Sequence, residues 1–269
     1  MRNKEKTVSQ IFVTWNVNSL KARKAHVLRY LELRKPSVLC LQETKLRDEA
    51  FPFEVFKALG YHVLHAGGPG RNGVAIFTKY PLEDPVRGFP EEEDPQAVER
   101  LLCARIRELY VISVYIPNGS PVGSDYFLYK LEFIYRLREF LERHFTPETP
   151  LALCGDFNVA PEPIDVYDPE LLEGHICFHE RERAAIKVLA EWGLYDALRL
   201  KHPESPGIFS WWDYQFGAFR ANRGMRLDHI WVTEPLAEKL TDCFIDRDPR
   251  GWKKPSDHAP VVAVFDLPD

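Results

Sequence analysis

Seven apolar runs of strand length recur along the sequence, each bounded by turn residues: "IFVTWNV", "SVLCLQE", "GVAIFTK", "LYVISVYI", "LALCGDF", "LDHIWVT" and "APVVAVF". Their β-branched and aromatic content predicts strands. Three stretches between them carry apolar residues at helical spacing instead: residues 24–35 ("KAHVLRYLELRK"), 126–144 ("YFLYKLEFIYRLREFLERH") and 180–193 ("ERERAAIKVLAEWG"), the last stopping at Gly193. In the second, Leu128, Leu131, Ile134, Leu137 and Leu141 are expected to share one buried face. Strands alternate with helices in places and follow one another elsewhere. That order predicts an α/β chain with sheet at the core and helices outside. So many strands call for two sheets packed face to face. No repeat or linker divides the sequence, so residues 1–269 are read as one domain, with 1–9 a flexible leading segment.

Composition narrows the function. Apolar residues make up 45 % and charged residues 28 %, a soluble globular profile. The net charge of −5 gives no global basic field, so any nucleic-acid contact must rest on local patches. The 5 cysteines form no CxxC pair, which argues for free thiols in a reducing compartment and against a disulfide frame or a zinc knuckle. The leading residues lack the apolar core of a signal peptide, and no run approaches membrane-spanning length. The expected location is cytoplasmic in a prokaryote, or nuclear or cytosolic otherwise, not secreted and without a membrane partner. Segments 89–96 and 161–170 read as solvated acidic loops.

Polar residues cluster where the strands end. In "GDFN", extended chain sends Asp156 and Asn158 to one face and Phe157 into the core. Asn16 and Asn18 follow the first strand, Gln42 and Glu43 the second, and Tyr115 and Asn118 a later one. Asp228 opens a strand, and Asp257 and His258 precede the last. Together these residues describe a hydrolytic site. Glu43, Asn18 and Asp257 offer hard oxygen ligands suited to Mg²⁺ or Mn²⁺, and the lack of a His and Cys cluster disfavours zinc. Asp156 can accept a proton from water that Asn158 helps to orient. His258 can donate to a phosphate oxygen if a carboxylate, with Asp228 the candidate, keeps it charged. Asn16, Asn158 and Tyr115 can donate to phosphate without adding negative charge. Basic runs at 21–26, 219–226 and 247–254 are candidate contacts to a phosphate backbone.

The motifs "WNVNSL", "LQETK", "NGVAIFTK", "VYIPNG", "GDFNVAP", "FSWWDYQFGAFRANRGMRLDHIWV" and "SDHAPVV" run in order from residue 15 to 262. In them the chain resembles the exonuclease III family of apurinic/apyrimidinic endonucleases, within the endonuclease/exonuclease/phosphatase superfamily. The resemblance implies a four-layer α/β sandwich of the DNase I-like kind, two packed mixed sheets flanked by helices. It implies Glu43 as principal metal ligand, with Asn18 and Asp257 at or near the metal. It implies Asp156 as the base, Asp228 and His258 as a charge-stabilising pair, and Asn16, Tyr115 and Asn158 as phosphate or water contacts. Trp211, Met225 and Leu227 match positions that wall a pocket for a base-less sugar, and Asn222 and Asn118 match DNA-contacting positions. Two departures stand out. Asn18 replaces the Asp of some members, which weakens its grip on a metal, and Met225 replaces a common Trp with a softer wall. The implied activity is Mg²⁺- or Mn²⁺-dependent cleavage 5′ to abasic sites in double-stranded DNA, with action on blocked or intact 3′ ends, by a monomer. The competing readings are another metal-dependent phosphoesterase of the same fold, acting on lipid head groups or inositol phosphates, and a catalytically inactive DNA-binding module.

Overall fold

The computed structural model of the chain describes residues 7–91 and 93–268. The first sheet holds β1 (Thr7–Asn16), β2 (Val38–Gln42), β3 (His62–Ala66), β4 (Val74–Thr78), β13 (Leu240–Ile245) and β14 (Val261–Pro268). The second holds β5 (Glu83–Arg87), β6 (Leu101–Ile106), β7 (Leu109–Tyr115), β8 (Leu151–Asp156), β9 (Tyr195–Asp196) and β12 (Asp228–Val232). The orders are β13-β14-β1-β2-β4-β3 and β5-β6-β7-β8-β12-β9. At the centre of each lies a parallel pair, β1 with β2 and β7 with β8, and the other pairings are antiparallel. A two-residue ribbon, β10 (Trp211–Trp212) with β11 (Gly224–Met225), stands apart.

Parallel strands need a crossover, and a helix supplies it in both sheets. Leu20–Arg34 joins β1 to β2, and Asp125–His144 joins β7 to β8. Alternation along the strands then fixes the layers. Val38 and Cys40 of β2 face the other sheet, while Leu39 and Leu41 face the first helix with Val27, Tyr30 and Leu31. In β8, Ala152 and Cys154 meet that same inter-sheet core, while Leu151 and Leu153 pack under the helices Asp125–His144 and Glu180–Trp192. The result is four layers, with a large apolar core between each adjacent pair. All five cysteines are buried free thiols.

Four expectations need correction. Thr7–Ser9 already belong to β1, so only residues 1–6 of the expected flexible segment fall outside the described residues. Leu128 is 48 % exposed and leaves the predicted helix face, where Phe127, Lys130, Phe133 and Phe140 are buried instead. The 161–170 loop is more than a solvated surface, because Asp165 is fully buried and pairs with Arg199 and Arg226. Arg226 is therefore a buried structural cation and not part of a basic rim.

Candidate active site

The carboxyl ends of both parallel pairs converge at one edge of the sandwich. β1 ends in Asn16, β2 runs into Glu43, β7 ends in Tyr115 and β8 in Asp156. Gly155 lets β8 reach this edge beside β7, because a Cβ there would lie 1.9 Å from the Val114 carbonyl oxygen. Past the strand ends the backbone turns sharply. Asn18, Glu43, Lys45 and Asn158 all adopt positive φ between +43° and +54°. Left-handed backbone at non-glycine residues is held in place only by the surrounding structure, and it gathers at functional sites.

Asn16 joins the two sheets. Its amide donates to Glu43 Oε1 at 2.8 Å and to Asp156 Oδ2 at 2.9 Å. Both amide hydrogens are thus directed at carboxylates, so Asn16 orients the two acids here. The Asn158 backbone N–H donates to Asp156 Oδ1 at 2.9 Å. His258 donates from Nδ1 to Asp228 Oδ2 at 2.7 Å and points Nε2 toward Asp156 Oδ2, 3.8 Å away. Ser256 fixes this turn by donating to the Asn16 carbonyl at 2.7 Å and accepting from the His258 N–H at 3.2 Å.

The environments push the titrating groups apart. Burial, reinforced by the negative charge of Asp228, raises Asp156 to about 7 against the opposing pull of His258 and Asn16. Burial opposes the charge on His258, but Asp228, Asp156 and Asp257 outweigh it and raise the imidazole to about 10. Glu43 is also desolvated, yet the Asn16 amide and the Lys45 ammonium hold it below the ordinary glutamate value. Burial and the charges of Glu43 and Asp156 keep the Tyr115 phenol far from ionisation. At neutral pH the site therefore holds an imidazolium, an ionised Glu43 and an Asp156 poised to gain or lose a proton.

These groups open into a cavity of about 390 Å³ lined by Glu43, Tyr115, Asn118, Asp156, Asn158, Trp211, Met225, Leu227, Asp257 and His258, with Ile176 and Cys177 added. Ten of the fourteen predicted site residues thus meet in one concavity. Trp211 and Met225 face each other across the small ribbon, and Leu227 and Met225 are buried on the same wall. Asp228 lies beneath, fully buried. Asn222 does not reach the cavity. Its side chain accepts from Trp212 Nε1 and Arg247 at 3.1 Å each and donates to the Gly207 carbonyl at 3.0 Å, so it ties the 207–224 loop together.

Glu43, Asp156 and His258 present atoms within 4.8 Å of one another. A charged imidazole is no ligand, so the carboxylates are the usable donors, and such hard oxygens fit Mg²⁺ or Mn²⁺. The pair expected beside Glu43 is engaged elsewhere. Asn18 donates to Asp257 Oδ1 at 3.0 Å and accepts from Lys45 Nζ at 2.7 Å, while Asp257 Oδ2 accepts from Trp211 Nε1 at 3.1 Å. The Asn18 carbonyl oxygen thus already accepts one hydrogen bond from Lys45. Sequence reading missed Lys45, which pairs with Glu43 at 2.9 Å. Its place two residues after Glu43 was the available signal. It missed Lys130 as well, a fully buried cation that pairs with buried Glu182 and donates to the carbonyls of Asn118 at 3.0 Å and Asn158 at 2.6 Å. Its position among apolar residues of an amphipathic helix was the only hint.

Comparison with known proteins places the chain in a family. The profile described as the Endonuclease/Exonuclease/phosphatase family matches residues 13–258. An exodeoxyribonuclease III from Haemophilus influenzae is 38 % identical over 265 residues, covering 94 % of this chain and 99 % of that one. The structure of an AP endonuclease from Archaeoglobus fulgidus superposes with a TM-score of 0.92 at 41 % identity, covering 96 % of this chain and all of the other. A 3′ phosphatase from Neisseria, solved bound to a product DNA hairpin, gives a TM-score of 0.91 at 37 % identity over 96 % of this chain and 100 % of its own.

Proposed function

The chain belongs to the endonuclease/exonuclease/phosphatase family, and from that premise we propose that it is a DNA-repair phosphodiesterase that cuts on the 5′ side of abasic sites and also processes 3′ ends. The observation that carries this reading is the buried Asp156 carboxyl, oriented by Asn16 and Asn158 and set 3.8 Å from a charged His258 at the floor of an apolar-walled cavity.

A phosphodiester resists hydrolysis because its charge repels nucleophiles. His258 offers positive charge and a hydrogen bond where negative charge develops, and Asp228 keeps that charge in place. Asp156 takes the proton of the attacking water, a role its value near 7 suits. Tyr115 stays protonated and can donate to the phosphate. Glu43 would hold the divalent cation, for which Mg²⁺ or Mn²⁺ is proposed, with the Asp156 carboxyl as a neighbouring donor. When bound, that cation supplies Lewis-acid charge to the phosphate and the 3′ leaving oxygen. A sugar without a base rotates out of the duplex cheaply, because no stacking or pairing is lost. Trp211, Met225 and Leu227 can enclose such a sugar and exclude a base by size.

The test compares a duplex carrying one abasic analogue with intact duplex and with a recessed 3′ end, in Mg²⁺ and in chelator. Incision 5′ to the abasic site that chelator abolishes is the expected result. Full activity in chelator, or no DNA cleavage while other phosphodiesters are hydrolysed, overturns the reading.

A further inference from the structure

We propose that His65 is a positioning residue for Glu43, acting through Thr44; this rests on the reading of Glu43 as the metal ligand. Glu43 and Lys45 both sit in left-handed backbone, and Thr44 is the buried residue between them. Neighbouring chain pins its backbone. The Thr44 N–H donates to the Gly73 carbonyl at 3.1 Å, and its own carbonyl accepts from Leu20 at 3.0 Å. The side chain is held separately, with Thr44 Oγ1 lying 2.9 Å from His65 Nε2.

His65 has no freedom of its own. Its Nδ1 lies 2.8 Å from Asp48 Oδ1, which also accepts the Gly67 N–H at 3.0 Å. Arg87 donates to the other Asp48 oxygen at 2.8 Å, and Phe51 stacks on the imidazole with centroids 4.1 Å apart. A carboxylate at Nδ1 makes that nitrogen the donor, so Nε2 accepts from the threonine hydroxyl. The order Thr, His, Asp matches a nucleophilic triad, but Thr44 is fully buried and lines no described cavity. Its hydroxyl meets no substrate. The chain Arg87, Asp48, His65, Thr44 instead locks a disfavoured turn that carries Glu43 and its partner Lys45.

The test is Mn²⁺ affinity of the DNA-free protein, read by the spin-resonance signal of unbound Mn²⁺, alongside Tm. Thr44→Val and His65→Phe keep shape and both lose the bond between Thr44 and His65, and His65→Phe loses the bond to Asp48 as well. Each is expected to weaken Mn²⁺ binding by about tenfold, the low end for residues supporting a ligand. The double variant should bind no worse than the weaker single one, because both cut the link between His65 and Thr44. His65→Gln, which can still accept and donate, should restore most of the affinity. Wild-type Mn²⁺ affinity in both Thr44→Val and His65→Phe, with only Tm lowered, overturns the proposal. Glu43→Gln separates the two failures. If it leaves Mn²⁺ affinity unchanged, the metal-ligand reading is wrong and this proposal falls with it. If it weakens binding while the other two do not, only the proposal is wrong.

Discussion

The central pairs of the two sheets are built alike, yet the acids at their ends behave in opposite ways. In each sheet two parallel strands are joined by a helix, and the second strand delivers a carboxylate: Glu43 after β2 and Asp156 at the end of β8. The same Asn16 amide bonds both. Burial pushes both toward neutrality. Glu43 resists because Lys45 stands 2.9 Å away, and it stays ionised. Asp156 faces Asp228 as well as His258, and it rises to about 7. Equal topology thus places two equal groups, and the neighbouring charges assign them different work: a fixed anion suited to a cation, and an exchangeable one suited to a proton. Two carboxyls driven apart by environment are the mark of an acid–base site.

Removing the exchangeable acid should break this comparison most severely. Asp156→Asn keeps shape but cannot take a proton. Single-turnover cleavage is expected to fall by about 10²–10⁴-fold, the usual worth of a general base. DNA affinity should hold or rise, since a negative charge leaves the phosphate site. Wild-type turnover in this variant would mean that Asp156 is no base and that the two acids do not divide the work.

The loops behind the two acids are secured differently, and stability measurements can sharpen that contrast. On the β8 side, buried Lys130 spends its three hydrogens on Glu182 and on the carbonyls of Asn118 and Asn158. Lys130→Met strands the buried Glu182 charge and is predicted to cost about 3–5 kcal/mol in urea unfolding. Lys130→Met with Glu182→Leu should recover most of that, because no unpaired charge remains. If the single variant is as stable as the double, the pair does not act as a buried ion pair.

These ties explain what the sequence let through and what it hid. "LALCGDFN" was legible because a strand buried on both faces is a continuous apolar run, and an acid at its end is conspicuous. The edge strand β5, "EDPVR", pairs only with β6 and carries no apolar alternation, so nothing marked it. Asp165 read as part of a solvated loop and Lys130 drew no notice, because charged residues are mostly exposed. Their partners, Arg226 and Glu182, lie 61 and 52 residues away in sequence, and only the folded chain brings them together. The surroundings of Asn18 were hidden for a similar reason. Residue type offered an oxygen, but only the folded chain brings Lys45 and Asp257 to the amide.

The pH profile tests whether Asp228 creates the asymmetry. A base must be ionised to act, so kcat/KM should climb as pH rises through about 7. The imidazolium must keep its proton, so activity should decline as pH passes about 10. The two limbs report on the Asp156, Asp228 and His258 group as a unit. Asp228→Asn removes the carboxylate that favours charge on His258, which moves the alkaline limb to lower pH. It also removes a negative neighbour of Asp156, which moves the acid limb down too. A profile in which only the alkaline limb moves would show that Asp228 does not act on Asp156.

The smallest expected effect concerns the wall between the two acids and the substrate. Trp211 is half-buried and anchored by its indole N–H to Asp257, so it is stiff, whereas Met225 opposite it is an unbranched thioether. A flexible side chain can move aside for a larger occupant. A terminal nucleotide keeps its base and needs that room, but an abasic sugar does not. Met225→Trp should therefore lower 3′-exonuclease activity more than abasic incision, shifting their ratio by about tenfold, the low end of the roughly 10–200-fold that one side chain's fit in a pocket is worth. Trp211→Ala should act the other way, loosening the stiff side and impairing abasic incision more than it lowers Tm. Neither change touches Glu43 or Asp156, so the metal requirement and the acid limb near pH 7 should remain as in the unsubstituted protein. An unchanged ratio in both variants would remove the wall from the account of selectivity and leave flipping cost as its only source.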